Sequence, residues 1–128
     1  MLTVLLADGV EMVRIGLGLA VKQCCPDALL IHARTAGETL EHLRAFECGL
    51  LICNEAWAKE DGWAIIRTAA LQPGIKIVVR HPGNFKGFGE PGCPYGLLDG
   101  TIDLRATFDE TSALLASVLE GEMKRRTG

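Results

Sequence analysis

Residues 50–63, LLICNEAWAKEDGW, decide how this chain reads. Leu50 to Cys53 form a short apolar run of the kind that makes a buried strand. Asn54 is its first polar side chain, a polar turn follows, and a helical pattern opens near Gly62. Strand ends of this kind often carry an active-site carboxylate, yet here the position holds an amide.

Working outward, the same alternation recurs on both sides. Upstream, LTVLLAD gives a strand over Thr3–Ala7 that ends at Asp8. Val13, Leu17 and Val21 then share one helical face between Val10 and about Gln23. A second strand candidate runs over Ala28–Ala33. Thr35-Ala36-Gly37-Glu38 has capping-box spacing ahead of a helix to about Phe46. The opening strand itself spans Gly49–Cys53, and its helix runs from Gly62 to about Leu71, closed by QPG. IKIVVR, Ile75–Arg80, is the fourth strand.

The pattern then breaks. Residues 82–96, PGNFKGFGEPGCPYG, are dense in Gly and Pro, which oppose a helix interior through backbone entropy and a missing donor. TIDL, Thr101–Leu104, is a fifth strand. Asp99-Gly100 before it carries hairpin chemistry, which would pair Tyr95–Leu98 with Thr101–Leu104. Thr107-Phe108-Asp109-Glu110 is another capping box, opening a last helix to about Glu122 with Leu115, Val118 and Leu119 inward. Apolar strands alternating with amphipathic helices give an α/β fold, a parallel sheet covered on both faces. Its functional crevice lies beyond the carboxyl ends of the strands, at Asp8, Asn54, His81 and Leu104-Arg105.

The composition narrows the function classes. The chain has 128 residues, which fits one domain over 1–122 with a tail at 123–128. A net charge of −3 without a basic stripe argues against direct nucleic-acid contact, and Lys124-Arg125-Arg126 reads as a solvated tail. No apolar run is long enough to span a bilayer. Five cysteines, none spaced as C-x-x-C, fit reduced thiols in a cytoplasm rather than a disulfide framework or a zinc site.

These residues resemble a response-regulator receiver domain, most similarly those that precede a helix-turn-helix output domain. VLLADGVEMVRIGL is similar to the family's first strand end and first helix. NEAWAKEDGW has the length of its phosphorylation loop and keeps the closing Asp61-Gly62. The resemblance implies a flavodoxin-like, doubly wound sheet of five parallel strands in the order 2-1-3-4-5. Residues 82–96 then stand where the family has its fourth helix, which this segment does not build.

The residues that would carry the family's chemistry are the ones that differ. Its paired acids for magnesium fall on Asp8 and Gly9, so one is gone. The phospho-acceptor falls on Asn54, the switch Ser/Thr on His81, and the lysine on Leu104, with Arg105 one residue away. A carboxylate oxygen can form an acyl phosphate beside a metal ion, whereas an amide cannot. Glu55 is adjacent, but successive strand residues point opposite ways.

The polar residues have plain structural readings too. Asn54 can cap the turn after its strand, Asp8 can cap the first helix, and Cys53 can serve as a small core residue. A Cys53–His81 nucleophile pair would need the thiol in the crevice, against strand alternation. The reading is therefore a degenerate, phosphorylation-independent receiver, not an enzyme, with no metal or cofactor. It acts on a protein partner (a regulator, kinase or output domain) or as a homodimer. Phe85, Phe88 and Tyr95 are candidate contacts. The alternative is a small-molecule sensor using the emptied crevice.

Overall fold

The computed structural model describes residues 1–83 and 92–127, the side chains of 121–127 excepted. Five strands form one sheet: β1 (Thr3–Ala7), β2 (Leu29–Ala33), β3 (Leu50–Asn54), β4 (Lys76–His81) and β5 (Gly100–Asp103). Their order is β2-β1-β3-β4-β5 and every pairing is parallel. The helices are α1 (Glu11–Cys24), α2 (Ala36–Ala45), α3 (Glu55–Ala69) and α4 (Phe108–Thr127). The expected doubly wound α/β architecture is thus present.

Strand alternation divides the core in two. Leu5, Ala7, Leu51, Cys53, Ile77 and Val79 face α2 and α3, where they meet Leu43, Ile65 and Ile66. Val4, Leu6, Leu50, Ile52, Val78 and Ile102 face α1 and α4, against Leu17, Val21, Leu115 and Leu119. Both faces of the three central strands are apolar, so a one-residue slip would exchange the two cores but leave polar ends unmatched. Thr35 caps α2 by accepting the Glu38 N–H. At α4 the capping box is reciprocal, Thr107 Oγ1 accepting from Glu110 and Glu110 Oε1 accepting from Thr107.

Several local expectations are corrected. The first turn of α3 begins at Glu55, well before Gly62. The helix then breaks at Glu60–Trp63, where Asp61, Gly62 and Trp63 are left-handed. Trp63 is buried there despite its φ of +67°. A left-handed L-residue costs about 1–2 kcal/mol, which burial of an indole offsets. Arg67 ties this turn to the next crossover, donating to the Gly62 and Gly92 carbonyls. The last helix runs on to Thr127, through the residues read as a tail. Met, Lys and Arg there favour helix without supplying an apolar face, so periodicity could not see it.

The Asp99-Gly100 hairpin does not form. Tyr95–Leu97 is a 3-10 turn, and β5 pairs with β4 in parallel. Asp99 donates its N–H to Ile77 O and accepts the Ile77 N–H on Oδ2, both at 2.7 Å. It thus feeds the chain onto the β4 edge, which a hairpin would have left unpaired. Phe85 and Phe88 lie outside the described residues, with most of the segment expected to lack a helix. Tyr95 is half exposed beside them in sequence.

Candidate functional site

The crevice lies where β1, β3 and β4 end. By strand parity Asp8 follows Leu6, Asn54 follows Ile52, and Arg80 follows Val78, so all three belong to the α1 side. Asn54 and Arg80 are also partners in the β3–β4 register. His81 has the opposite parity.

Asp8 is 3% exposed, and its side chain is fully engaged within the chain. Oδ1 accepts the Val10 N–H at 2.9 Å. Oδ2 accepts from Arg80 Nε at 2.9 Å and from an Arg80 terminal nitrogen at 2.5 Å. Both side chains are largely buried, so this is a desolvated, charge-assisted pair rather than a surface contact. Asp8 is not the helix cap it was expected to be. The N-cap of α1 is Val10, which has no side-chain acceptor, and Asp8 instead closes a turn two residues earlier.

Behind the pair, Arg14 is equally buried. It donates to the Asp8 carbonyl at 2.6 Å and to His32 Nδ1 at 3.1 Å. A ring nitrogen that accepts must be unprotonated, so the second nitrogen of His32 carries the hydrogen. Hydrogen bonds thus run from Arg80 on β4 through Asp8 to Arg14 and on to His32 on β2.

Asn54 serves as the N-cap of α3, as one reading of the sequence had it. Its Oδ1 accepts the Trp57 N–H at 2.9 Å. A Cβ added at Gly9 would lie in ordinary contact with the Trp57 ring, at 3.5 Å, so the indole stands beside the position of the second acid. Glu55 turns along its own helix to Lys59, 3.0 Å away. Its other oxygen is buried without a hydrogen-bond partner. Cys53 is fully buried, and burial first, then the charge of Asp8, pushes its thiol far above the ordinary range. It is a core residue.

The remaining candidates do not converge on Asp8. His81 is buried and its Nδ1 meets the Gly83 carbonyl; a carbonyl only accepts, so Nδ1 carries the proton. Gly83 has φ +124°, backbone that favours glycine. Leu104 is half exposed, with its N–H on the His81 carbonyl. Arg105 points to solvent and pairs with Asp103 at 3.0 Å, holding that carboxyl down at about 2. Two grooves of about 290 and 240 Å³ lie elsewhere, the first at the amino end of the sheet around Cys48 and Gln72. The second runs between α1 and the start of α4, with Met12, Leu104 and Phe108 in its walls. Neither is lined by Asp8, Asn54 or His81, although Arg80 reaches the wall of the second.

Sequence reasoning missed Arg80. The only hint was its parity on the fourth strand, the same as that of Asp8 and Asn54 on theirs, which does not by itself name a partner.

No family model matches the chain, and no curated protein is similar enough to report. Solved structures are. A response regulator from Thermotoga maritima superposes with a TM-score of 0.76 at 16% identity, over 94% of this chain and 98% of that one. The fold is that of a response-regulator receiver domain. A receiver domain of a histidine kinase from Clostridium thermocellum gives 0.77 at 14% identity, over 92% and 97% of the two chains. CheY6 from R. sphaeroides, in a complex with the P1 domain of CheA3, falls in the same set at 0.69 and 22% identity, covering 96% and 97%.

Receiver folds are associated with a divalent cation, and the residues here do not fit one. Magnesium wants several hard anionic oxygens in near-octahedral array. Both Asp8 oxygens already carry donors from the chain, Gly9 has no side chain, and the Asn54 oxygen is spent on α3. Among the described residues no group of three His, Cys, Asp or Glu side chains could hold a metal ion.

Proposed function

We propose that this chain is a receiver-like regulatory module of two-component-type signalling that acts by protein–protein contact, without taking a phosphoryl group. The observation that carries this reading is Asn54. The residue at the acceptor position is an amide, and its oxygen is bound to the Trp57 N–H. Neither its electronic structure nor its orientation suits nucleophilic attack on phosphorus.

The surface supports contact with a partner. Met12, Ile15 and Leu19 are exposed on α1 at helical spacing, and Leu104 and Phe108 are exposed near its start. Exposed apolar groups gathered this way mark interaction sites. One of the similar structures is itself a protein–protein complex, the P1 domain of CheA3 with CheY6. The partner class is a regulator, kinase or output domain, or a second copy of the chain. The reading assigns no catalytic step to the crevice.

Light scattering with and without beryllofluoride and magnesium tests it. The same molar mass is expected in both, because Asn54 and Gly9 give a phosphoryl mimic and its metal no carboxylate pair to bind and so no state to bias. A beryllofluoride-dependent change in mass would overturn the reading.

A further inference from the structure

We infer that Arg80 is the resident cation of the crevice: its guanidinium occupies the charge position that a divalent ion would need, and it excludes such ions. The inference deepens the protein-contact reading above and rests on it for the role of the site.

The geometry has three parts. Arg80 reaches Asp8 with two nitrogens on one oxygen, while Val10 holds the other, so three of the roughly four acceptor positions of the carboxylate are taken within the chain. Arg80 is fixed by its strand: it is the last-but-one residue of β4, beside Asn54 in register, and parity aims it at the α1 side, where Asp8 projects from β1. Gly9 brings no side chain to the position where a second acid would stand, and the Trp57 ring lies alongside it. A planar guanidinium suits this position because its fork matches a carboxylate and it keeps its charge at any accessible pH. With the buried Arg14 donating to the Asp8 backbone carbonyl and the largely buried Arg80 on its carboxylate, the crevice holds two guanidinium groups around one acidic residue. A divalent cation entering there would meet repulsion from both.

Loss of Arg80 should therefore create a metal response that the natural chain lacks. The probe is the manganous ion alone, read by paramagnetic broadening of the backbone amide signals of Asp8, Gly9 and Asn54, with far-UV circular dichroism reporting the fold. Wild-type protein and Arg80→Lys, which keeps the charge, are expected to show no broadening there. Arg80→Gln is expected to broaden, with an affinity gain of about tenfold or more from removal of the fixed positive charge. Broadening in the wild type, or none in folded Arg80→Gln, would overturn the inference.

Should Arg80→Gln fail to fold, the wild-type chain decides. The Arg80 Nε–H signal is expected to be protected from solvent exchange and unmoved by magnesium. An Nε–H exchanging as fast as that of exposed Arg105, or one displaced by magnesium, would overturn the inference. A metal ion in the wild-type crevice removes this role of Arg80 and leaves the protein-contact reading standing. A beryllofluoride-dependent change in mass removes that reading instead.

Discussion

The sheet interior and the crevice at its carboxyl end are built from the same strands but obey different rules. In the interior any apolar residue of suitable size serves, and the two core clusters supply many such residues on each face. In the crevice the polar side chains of Asp8, Asn54 and His81 find specific partners within the chain: Asp8 on Arg80 and Val10, Asn54 on Trp57, His81 on Gly83. The fold therefore survives wide sequence change, as its identities of 14–16% to solved receivers show. Single residues carry a site, and here Gly9 and Asn54 stand where the family resemblance puts the second acid and the acceptor. A crevice built to bind outside ligands keeps polar groups unpaired, whereas this one has turned them inward.

The comparison breaks most sharply at the ion pair. Asp8→Ala would leave the Arg80 charge buried without its partner, and such losses cost about 3–5 kcal/mol. Urea unfolding should show a fall of that order, against less than about 1.5 kcal/mol for the volume-conserving interior change Leu51→Met. Equal effects would mean that the pair is no more critical than a core contact.

A smaller effect tests the second inward-turned group. Asn54→Ala removes the cap of α3 and should cost about 1 kcal/mol, whereas Asn54→Asp keeps an acceptor and should cost only a few tenths. Stability measured by thermal melting separates the two. If Asn54→Asp were as damaging as Asn54→Ala, the cap would not be what Asn54 supplies.

The smallest effect concerns Arg105, which lies at the crevice rim but outside its network. Arg105 holds Asp103 down at about 2, so the pair stabilises the fold at neutral pH. That contribution is present above the ordinary carboxylate value of 3.8 and is lost as the pH falls through about 2. Arg105→Ala should lower stability slightly at pH 7, with the difference from wild type vanishing near pH 2. A difference that persisted in acid would place Arg105 in some other contact.

These contrasts also explain what the sequence made legible. Periodicity located all five strands because a buried parallel strand must be apolar on both faces. It misplaced the α3 start because the non-helical break at Glu60–Trp63 interrupts the helical periodicity after the first turn. It read Asp99-Gly100 as a hairpin because turn chemistry is local, while the choice of β4 as partner is made by the sheet. In the crevice, Asn54 was legible as a cap. Arg80 was not, because no local rule pairs a strand-four cation with a strand-one acid. Only the folded register brings residues 72 positions apart together.

The most direct test of the account is intact mass after incubation with acetyl phosphate and magnesium. The chain should emerge unchanged, since Asn54 cannot form an acyl phosphate and Asp8 is held by Arg80. A stable gain of one phosphoryl group on an acidic side chain of this crevice, whether Asp8 or Glu55, would contradict it.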